Sequence, residues 1–410
     1  METLLYNIGE MLSGDLNSPR IEEESLVIEN EKIKSIGKEP TQSPHLRIDC
    51  KGMTVAPGLI DTHVHPTIGD FGTKQQSVGF LERMVHGAVT HAVSAGEVHV
   101  PGRSGADSAL AIALAAHYSF KNYGPLGIKV HGGGLLLEWD TESKHIDQAY
   151  EGGIRLIGEV GIGSLKNPKR AGELSTYARE LGMVVHMHCG ATSDRGPGGE
   201  KHPYFSAEDV LTVRPSIASH ANSFVSLSDE DVDLVCDHNE GPPFIEVVQA
   251  GGVKSMLRVV ERLMDRGDLD RLLIGTDTPT GYGITSLGII KTIGDICSMT
   301  ELASDVAWAI ASGNAARAFN LEGHKIALGA PADIVVIDAA LGSPQKSATD
   351  ALDMGEFPGV ALVITDGKVR VNGSQCTLRS RRVAEINSIK SNNLKYVPTG
   401  KKFLLFQASS

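Results

Sequence analysis

From residue 56 to about residue 324 the chain alternates between short apolar runs and longer amphipathic ones. Eight runs have the unbroken apolar character of strands buried on both faces: Gly58–Val64, Val89–Ala95, Gly127–His131, Ile154–Val160, Met183–His188, Ser216–His220, Phe244–Val248 and Arg271–Thr276. Their starts lie roughly 27–38 residues apart, the length that one strand, one helix and two loops consume. Helical periodicity fills the gaps at Val78–His86, Ser108–Tyr118, Gly172–Gly182, Ser228–Asp237 and Val253–Gly267. Ser206-Ala207-Glu208-Asp209 and Ser228-Asp229-Glu230-Asp231 read as helix starts, each with a serine cap and acids in the first turn. Eight such units in strict alternation predict an α/β fold, a (β/α)8 TIM-type barrel whose functional face is formed by the strand carboxyl ends. A doubly wound open sheet competes, but no GxGxxG opens a helix after the first strand.

The two chain ends have a different rhythm. Thr3–Ile8, Ser25–Ile28 and Lys32–Ile36 have strand-like spacing, with Asn30-Glu31 as a turn. Near the other end, Ala332–Asp338 is a buried-strand run, and Val360–Thr365 and Lys368–Asn372 flank Asp366-Gly367, a dipeptide suited to a type I′ hairpin. Neither end is long enough to bury a core alone. Residues 1–55 and 325–373 are therefore expected to form one small composite β-sandwich, with the barrel of 56–324 inserted between its halves.

Composition narrows the class. The 410 residues suffice for one large and one small domain, and 46 glycines with 41% hydrophobic residues suit an α/β enzyme with many tight turns. A formal charge of -12 argues against nucleic acid or an anionic membrane surface as the main partner. No run approaches the length of a membrane span, and Met1–Asn7 lacks the basic start of a secretory signal, so a cytoplasmic protein is expected. Five cysteines without CxxC spacing do not suggest a disulfide framework.

Polar residues interrupt the apolar runs at one recurring place, the carboxyl end. The first run ends in His63-Val64-His65, and because side chains alternate along a strand both imidazoles point to one side. Alone, that pair is equally a pair of packed core histidines. The fourth run carries Glu159, the fifth His188 and the sixth His220, and Asp277 follows the eighth. Taken singly, each is more often a structural polar group than a ligand. At the same end of successive strands they predict a site for two divalent cations, with the nitrogen and oxygen donors zinc accepts. A buried, ionised Glu159 among apolar neighbours would also be costly without a cation. His186, one layer below His188, is expected to be a satisfied inner histidine, and Cys189 a packed thiol. Lys129 and His131 end the third run and face one way. A carbamylated, metal-bridging Lys129, a neutralising partner for Glu159 and a contact to a substrate carboxylate are its three readings, and the cationic roles are preferred.

Several phrases carry a resemblance. They are Gly58-Leu59-Ile60-Asp61-Thr62-His63-Val64-His65, Val93-Ser94-Ala95-Gly96 with Pro101-Gly102-Arg103, and Lys129-Val130-His131-Gly132-Gly133. Gly158-Glu159-Val160-Gly161-Ile162-Gly163 with Lys166-Asn167-Pro168, and Asp277-Thr278-Pro279-Thr280-Gly281, complete the set. In the order HxH, Glu, His, His, Asp, the chain resembles the amidohydrolase superfamily from about residue 5 to residue 373, and within it the enamidases.

The resemblance implies a binuclear centre of two Zn2+ ions or a Zn2+/Fe2+ pair. His63 and His65 would hold the first ion with Asp277 beside it, and His188 and His220 the second. Glu159 would span both, in place of the carbamylated lysine of hydantoinases and dihydroorotases. It also implies attack of a bridging hydroxide on a cyclic amide, with Asp277 carrying the proton to the leaving nitrogen, and a homo-oligomer, commonly a tetramer. Arg103 is expected to clamp a substrate carboxylate with Lys129 or His131 nearby, against the alternative of a solvated surface arginine.

Deamination of a ring amine and a hydantoinase- or dihydropyrimidinase-like hydrolysis use the same ligand set. A non-catalytic scaffold relative is expected to have lost ligands, and here all six positions are filled. The Gly/Pro-containing loop Ser193–Phe205, His186 ahead of His188, and the segment after residue 373 depart from the family pattern and bear on the choice of substrate. That last segment, 374–410, places Arg379, Arg381, Arg382, Lys390, Lys395, Lys401 and Lys402 against one acid, Glu385. A basic arm docking on its own acidic body or a neighbouring subunit is expected, with Phe403-Leu404-Leu405-Phe406 shielded from water.

Overall fold

The structure, a computed structural model, describes residues 2–38, 44–66, 77–100, 102–191, 203–279 and 285–388. Most of the loop from Ser193 and the tail beyond Ser388, with its Phe403–Phe406 run, lie outside those residues, as do Pro101 and Thr280-Gly281.

Eight parallel strands make the inner wall: β1 Leu59–Val64, β2 Val89–Ser94, β3 Lys129–His131, β4 Leu156–Val160, β5 Val184–His188, β6 Ile217–Ser219, β7 Phe244–Val248 and β8 Leu272–Gly275. They pair in two arcs, β1–β2–β3 and β4 through β8. Single parallel bridges close the ring, Leu135 to Ile157 at one seam and Val64 to Thr278 at the other. At the second seam the amides of His65 and Asp277 donate to the carbonyls of Thr278 and His63, each at 2.9 Å. The expected barrel is the fold, and an open doubly wound sheet is not.

Helices alternate with the strands: α1 Ser77–His86, α2 Ala106–Asn122, α3 Ser143–Glu151, α4 Pro168–Glu180, α5 Ala207–Val213, α6 Asp229–Asp237, α7 Val253–Arg266 and α8 Gly288–Met299. Ser206 and Ser228 cap α5 and α6 by accepting from Asp209 N and Asp231 N. The α7 helix buries Met256, Val259, Val260 and Leu263, the i, i+3, i+4, i+7 stripe of an amphipathic helix, and ends at Gly267 in the left-handed region. Inside the ring, Ile60, Val93, Leu156, Val184, Ile217 and Leu273, one from each of six strands, close over Phe319. This apolar plug fills the barrel's lower half, so polar side chains accumulate above it.

Strands from both chain ends form two sheets. One orders Glu385–Ser388, Leu46–Asp49, Glu2–Tyr6, Leu26–Glu29 and Lys32–Ile36. The other orders Lys368–Asn372, Gly359–Thr365, Ile334–Asp338, Thr54–Pro57, Glu10–Leu12 and Arg20–Ile21. Leu5, Ile28, Ile33, Met53, Val55, Ile334, Val336 and Leu362 share the core of these two sheets. Strand Thr54–Pro57 passes directly into β1 through Gly58, where an added Cβ would lie 2.2 Å from Thr90 Oγ1. The sandwich thus sets the entry of the strand that carries His63 and His65. The segment after residue 373 adds its Glu385–Ser388 strand to the first sheet. Arg382 donates to buried Asp338 from Nε at 3.0 Å and from its backbone amide at 2.8 Å. All five cysteines are free, and among the described residues no helix is long and apolar enough to cross a membrane.

Candidate metal centre

The side chains at the upper strand ends converge because strand period and strand end coincide. His63 and His65 leave β1 on one side, with ring centroids 5.1 Å apart. Glu159 from β4 reaches between them and the far wall. Its Oε2 lies 3.6 Å from Nε2 of both His63 and His65. Its Oε1 lies 3.3 Å from His188 Nδ1 and in close contact with His220 Nε2. Asp277 Oδ1 stands 3.2 Å from His65 Nε2 and 3.7 Å from His63 Nε2. The sets His63–His65–Glu159, Glu159–His188–His220 and His63–His220–Asp277 each bring their ligand atoms within 4.8 Å. Asp277 is the exposed member, its side chain 22% accessible against 5% or less for the others. His220 and Asp277 both adopt positive φ, 37° and 56°. Such strained backbone survives where neighbouring contacts hold it, and it turns both side chains inward.

Tautomers can be read from the outer partners. His63 donates Nδ1–H to Glu246 Oε2 at 2.7 Å, and Thr62 Oγ1 donates to the other oxygen at 2.6 Å. Nε2 of His63 is left as a bare lone pair, enclosed and without a partner among the described residues. His65 donates Nδ1–H to Gly96 O at 2.9 Å, so its Nε2 is bare as well, facing Asp277 and Glu159. In these neutral tautomers lone pairs and carboxylates oppose one another, so either a proton or a bound cation lies between them. The donor set of imidazole and carboxylate is one that zinc accepts.

Electrostatics follow from the same contacts. Burial alone would push the Glu159 carboxyl up, but the neighbouring His220 and His63 imidazoles outweigh it and hold the carboxyl well below its usual range. Burial likewise works against protonated His63, and the Glu246 and Glu159 carboxylates reverse it. Burial opposes ionised Glu246 too, yet His63 brings that carboxyl down to about 2. Asp61, enclosed at the β1–β8 seam, is pushed up to about 7 by burial and accepts from Thr276 Oγ1 at 2.6 Å.

The structure brings six of the anticipated residues together and leaves others apart. Lys129 and His131 belong to the barrel's lower, amino-terminal side. Lys129 is in register with His91, and its ammonium binds Asp333 at 2.7 Å and Asp366 at 2.8 Å, both from the sandwich. His131 Nε2 meets His91 Nδ1 at 2.9 Å. Their assignment to substrate is therefore corrected: neither side chain faces the cage. Arg103 does lie among the upper loops, with Nε on Glu138 Oε1 at 2.7 Å. His186 sits below the cage with Nδ1 3.2 Å from Ser219 Oγ, but its Nε2 is buried without a hydrogen-bond partner among the described residues, so it is not the fully satisfied histidine expected. Cys189 is a buried thiol with its pKa pushed well up by burial.

Two residues beside the cage are not among the site candidates drawn from the sequence, although Lys166 belongs to the family-like phrase Lys166-Asn167-Pro168. Glu246, fully buried in mid-strand, showed one available signal, a carboxylate inside Phe244–Val248. Lys166 donates Nζ to the carbonyl of Gly161, two residues beyond Glu159, and burial lowers its pKa.

Comparison with known proteins identifies relatives of nearly the whole chain. The family model of the amidohydrolase family matches residues 54–370. The enamidase of Eubacterium barkeri is 36% identical over 391 residues, covering 94% of this chain and 99% of that protein. A crystal structure of enamidase superposes with a TM-score of 0.89 at 35% identity, covering 94% of this chain and all of the other. A 5′-deoxyadenosine deaminase of Methanococcus aeolicus is 22% identical, covering 90% of this chain and 95% of that protein. With a family match over residues 54–370 and a relative 36% identical along nearly its whole length, this chain belongs to the amidohydrolase family.

Proposed function

We propose that the protein hydrolyses the C–N bond of a small, carboxylated cyclic amide, opening the ring as an enamidase does. The observation that carries the reading is Glu159, with one oxygen turned to His63 and His65 and the other to His188 and His220. In this reading His63, His65 and Asp277 hold one divalent ion, His188 and His220 the other, and Glu159 both. Zinc, or zinc with iron, fits these donors. When bound, the pair supplies a water of lowered pKa and polarises the amide carbonyl.

The protein's own groups do the rest. Glu246 and the Gly96 carbonyl hold His63 and His65 in the tautomers that present Nε2 to the cage. Asp277, alone in the cage in reaching partly open space, takes the proton of the attacking water and delivers it to the leaving nitrogen as the tetrahedral intermediate collapses. Arg103 and Lys166 are the cations proposed to meet the substrate carboxylate. Both feel Glu138, whose other oxygen accepts from Ser164 N at 2.9 Å, so Glu138 ties the loops after β2 and β4 to the Leu135–Glu138 segment.

The test combines metal analysis with a substrate panel of 6-oxo-1,4,5,6-tetrahydronicotinate, hydantoin, a dihydropyrimidine and a ring amine. The expected result is ring opening of the carboxylated cyclic amide, lost on chelation and restored by Zn2+. Ammonia release with the ring still closed would assign a deaminase instead, and full activity of metal-free protein would sink the proposal.

A further inference from the structure

A second cluster of nitrogen and oxygen donors lies under the barrel, where β2, β3 and the sandwich meet. His91 on β2, His324 in the segment leaving the barrel, and Asp333 just ahead of strand Ile334–Asp338 are 5%, 1% and 3% exposed. Their ligand atoms fall within 4.8 Å of one another, and the two rings meet edge to face with centroids 4.1 Å apart. His324 donates Nδ1–H to Gly58 O at 3.1 Å, which fixes its tautomer and leaves Nε2 a bare lone pair. That nitrogen is enclosed and has no partner among the described residues. An enclosed acceptor without a donor is costly, so the position asks for an occupant.

His91 has the matching arrangement. Its Nδ1 lies 2.9 Å from His131 Nε2, and its Nε2 3.2 Å from Asp333 Oδ2. Without a cation His91 Nε2–H donates to Asp333 and Nδ1 accepts from His131; a cation at Nε2 takes the place of that proton and requires the other tautomer, with Nδ1–H donated to His131. A backbone carbonyl behind one imidazole and a second imidazole behind the other are the outer contacts that orient metal-binding histidines.

Among the described residues the carboxylates here meet two cations: Lys129 lies 2.7 Å from Asp333 and 2.8 Å from Asp366, and Arg370 lies 3.9 Å from Asp366. His131 and Lys129, which contact His91 and Asp333, line a cavity of about 730 Å3 beside Phe319 and Leu321; His91, His324 and Asp333 themselves do not line it.

We infer that His91 Nε2, His324 Nε2 and Asp333 Oδ2 form a separate site for one divalent cation of the zinc class. Two imidazoles and a carboxylate oxygen make three of four tetrahedral positions, with the fourth open. Lys129 keeps its bond to Asp333 while the cation takes a remaining lone pair. The ion joins β2, the chain leaving the barrel and the sandwich, a structural role apart from the upper cage.

Asparagine at 324 keeps an N–H for Gly58 O and removes the ring nitrogen. Wild-type protein and His324→Asn, each loaded with excess Zn2+ and desalted, are compared by elemental analysis. The wild type is expected to retain one more zinc per chain, a difference that stands whether the upper cage holds two ions or none. Equal zinc in a folded variant overturns the inference. If that variant does not fold, cadmium NMR of the loaded protein with His63, His65, His188 and His220 all replaced by alanine decides. A protein-bound cadmium signal that persists there supports the lower site, and its absence refutes it.

Discussion

Two groups of imidazoles and carboxylates occupy opposite ends of one barrel, and what neutralises their carboxylates sets them apart. At the upper end Glu159 pairs, among the described residues, with imidazoles alone, and no ammonium or guanidinium meets it. At the lower end Asp333 already has Lys129 on both oxygens. The upper cage is therefore short of positive charge by much more than the lower one. It also has an opening, since the Asp277 side chain is 22% accessible and that of Asp333 only 2%. An electron-rich, partly open cage suits chemistry on a small molecule. A closed, nearly balanced cluster shared with the sandwich suits holding two domains together. The same residue types thus serve different ends according to burial and the nearest cation.

The sharpest way to break this contrast is at Asp277. Replacing it with asparagine keeps the shape but removes the proton acceptor, and kcat is expected to fall by about 10²–10⁴-fold. Steady-state rates on the cyclic amide measure this directly, and an Asp277→Asn enzyme with normal kcat would leave the upper cage without its assigned role. Next in size is Glu246→Gln, which removes the charge behind His63 while keeping a hydrogen-bond acceptor. Metal affinity or activity should drop about 10–100-fold, the usual cost of losing such an outer partner. Titration against a competing chelator reads it out.

Much of this contrast was legible in the sequence. Parallel barrel strands are buried on both faces, so they appear as continuous apolar runs, and eight such runs matched eight strands to within a few residues. Period two put His63 and His65 on one side before any coordinates were known. The error at Lys129 and His131 has a local cause. The apolar pattern ends the third run at the cage, but β3 stops at His131 and the wall continues upward through Gly132, Gly133 and Gly134 to Leu135, which bridges to Ile157. A Cβ at those glycines would fall 2.6 Å from Phe120, 2.6 Å from Ala113 O and 2.8 Å from Gly96 N. The chain therefore runs there without side chains and without an apolar signature. Glu246 stayed hidden for the opposite reason, being one charge inside a run read as core. Asp333 and Lys129 meet across 204 residues, a pairing no local pattern encodes.

A smaller effect is expected at Lys166. Its side chain is exposed, but its ammonium is held by the Gly161 carbonyl, so it is placed to receive a carboxylate without first being reoriented. A charged hydrogen bond of this kind is worth roughly 1.5–3 kcal/mol, so Lys166→Met should raise KM about tenfold or more while kcat changes little. An unchanged KM would move the substrate carboxylate to Arg103 alone.

The lower end supplies the mildest and most discriminating case, Lys129→Met. If Lys129 served the substrate, its loss would raise KM as the loss of Lys166 does. Placed under the barrel on Asp333 and Asp366, it should leave both KM and kcat as they are and act on stability. The variant strands a buried carboxylate, at a cost of about 1–3 kcal/mol, with the lower half of that range expected because the lysine side chain is one third exposed. Urea unfolding should show the midpoint falling with an unchanged slope, since the surface exposed on unfolding is the same. A shifted KM with an unshifted midpoint would reverse the assignment and bring Lys129 back to the substrate.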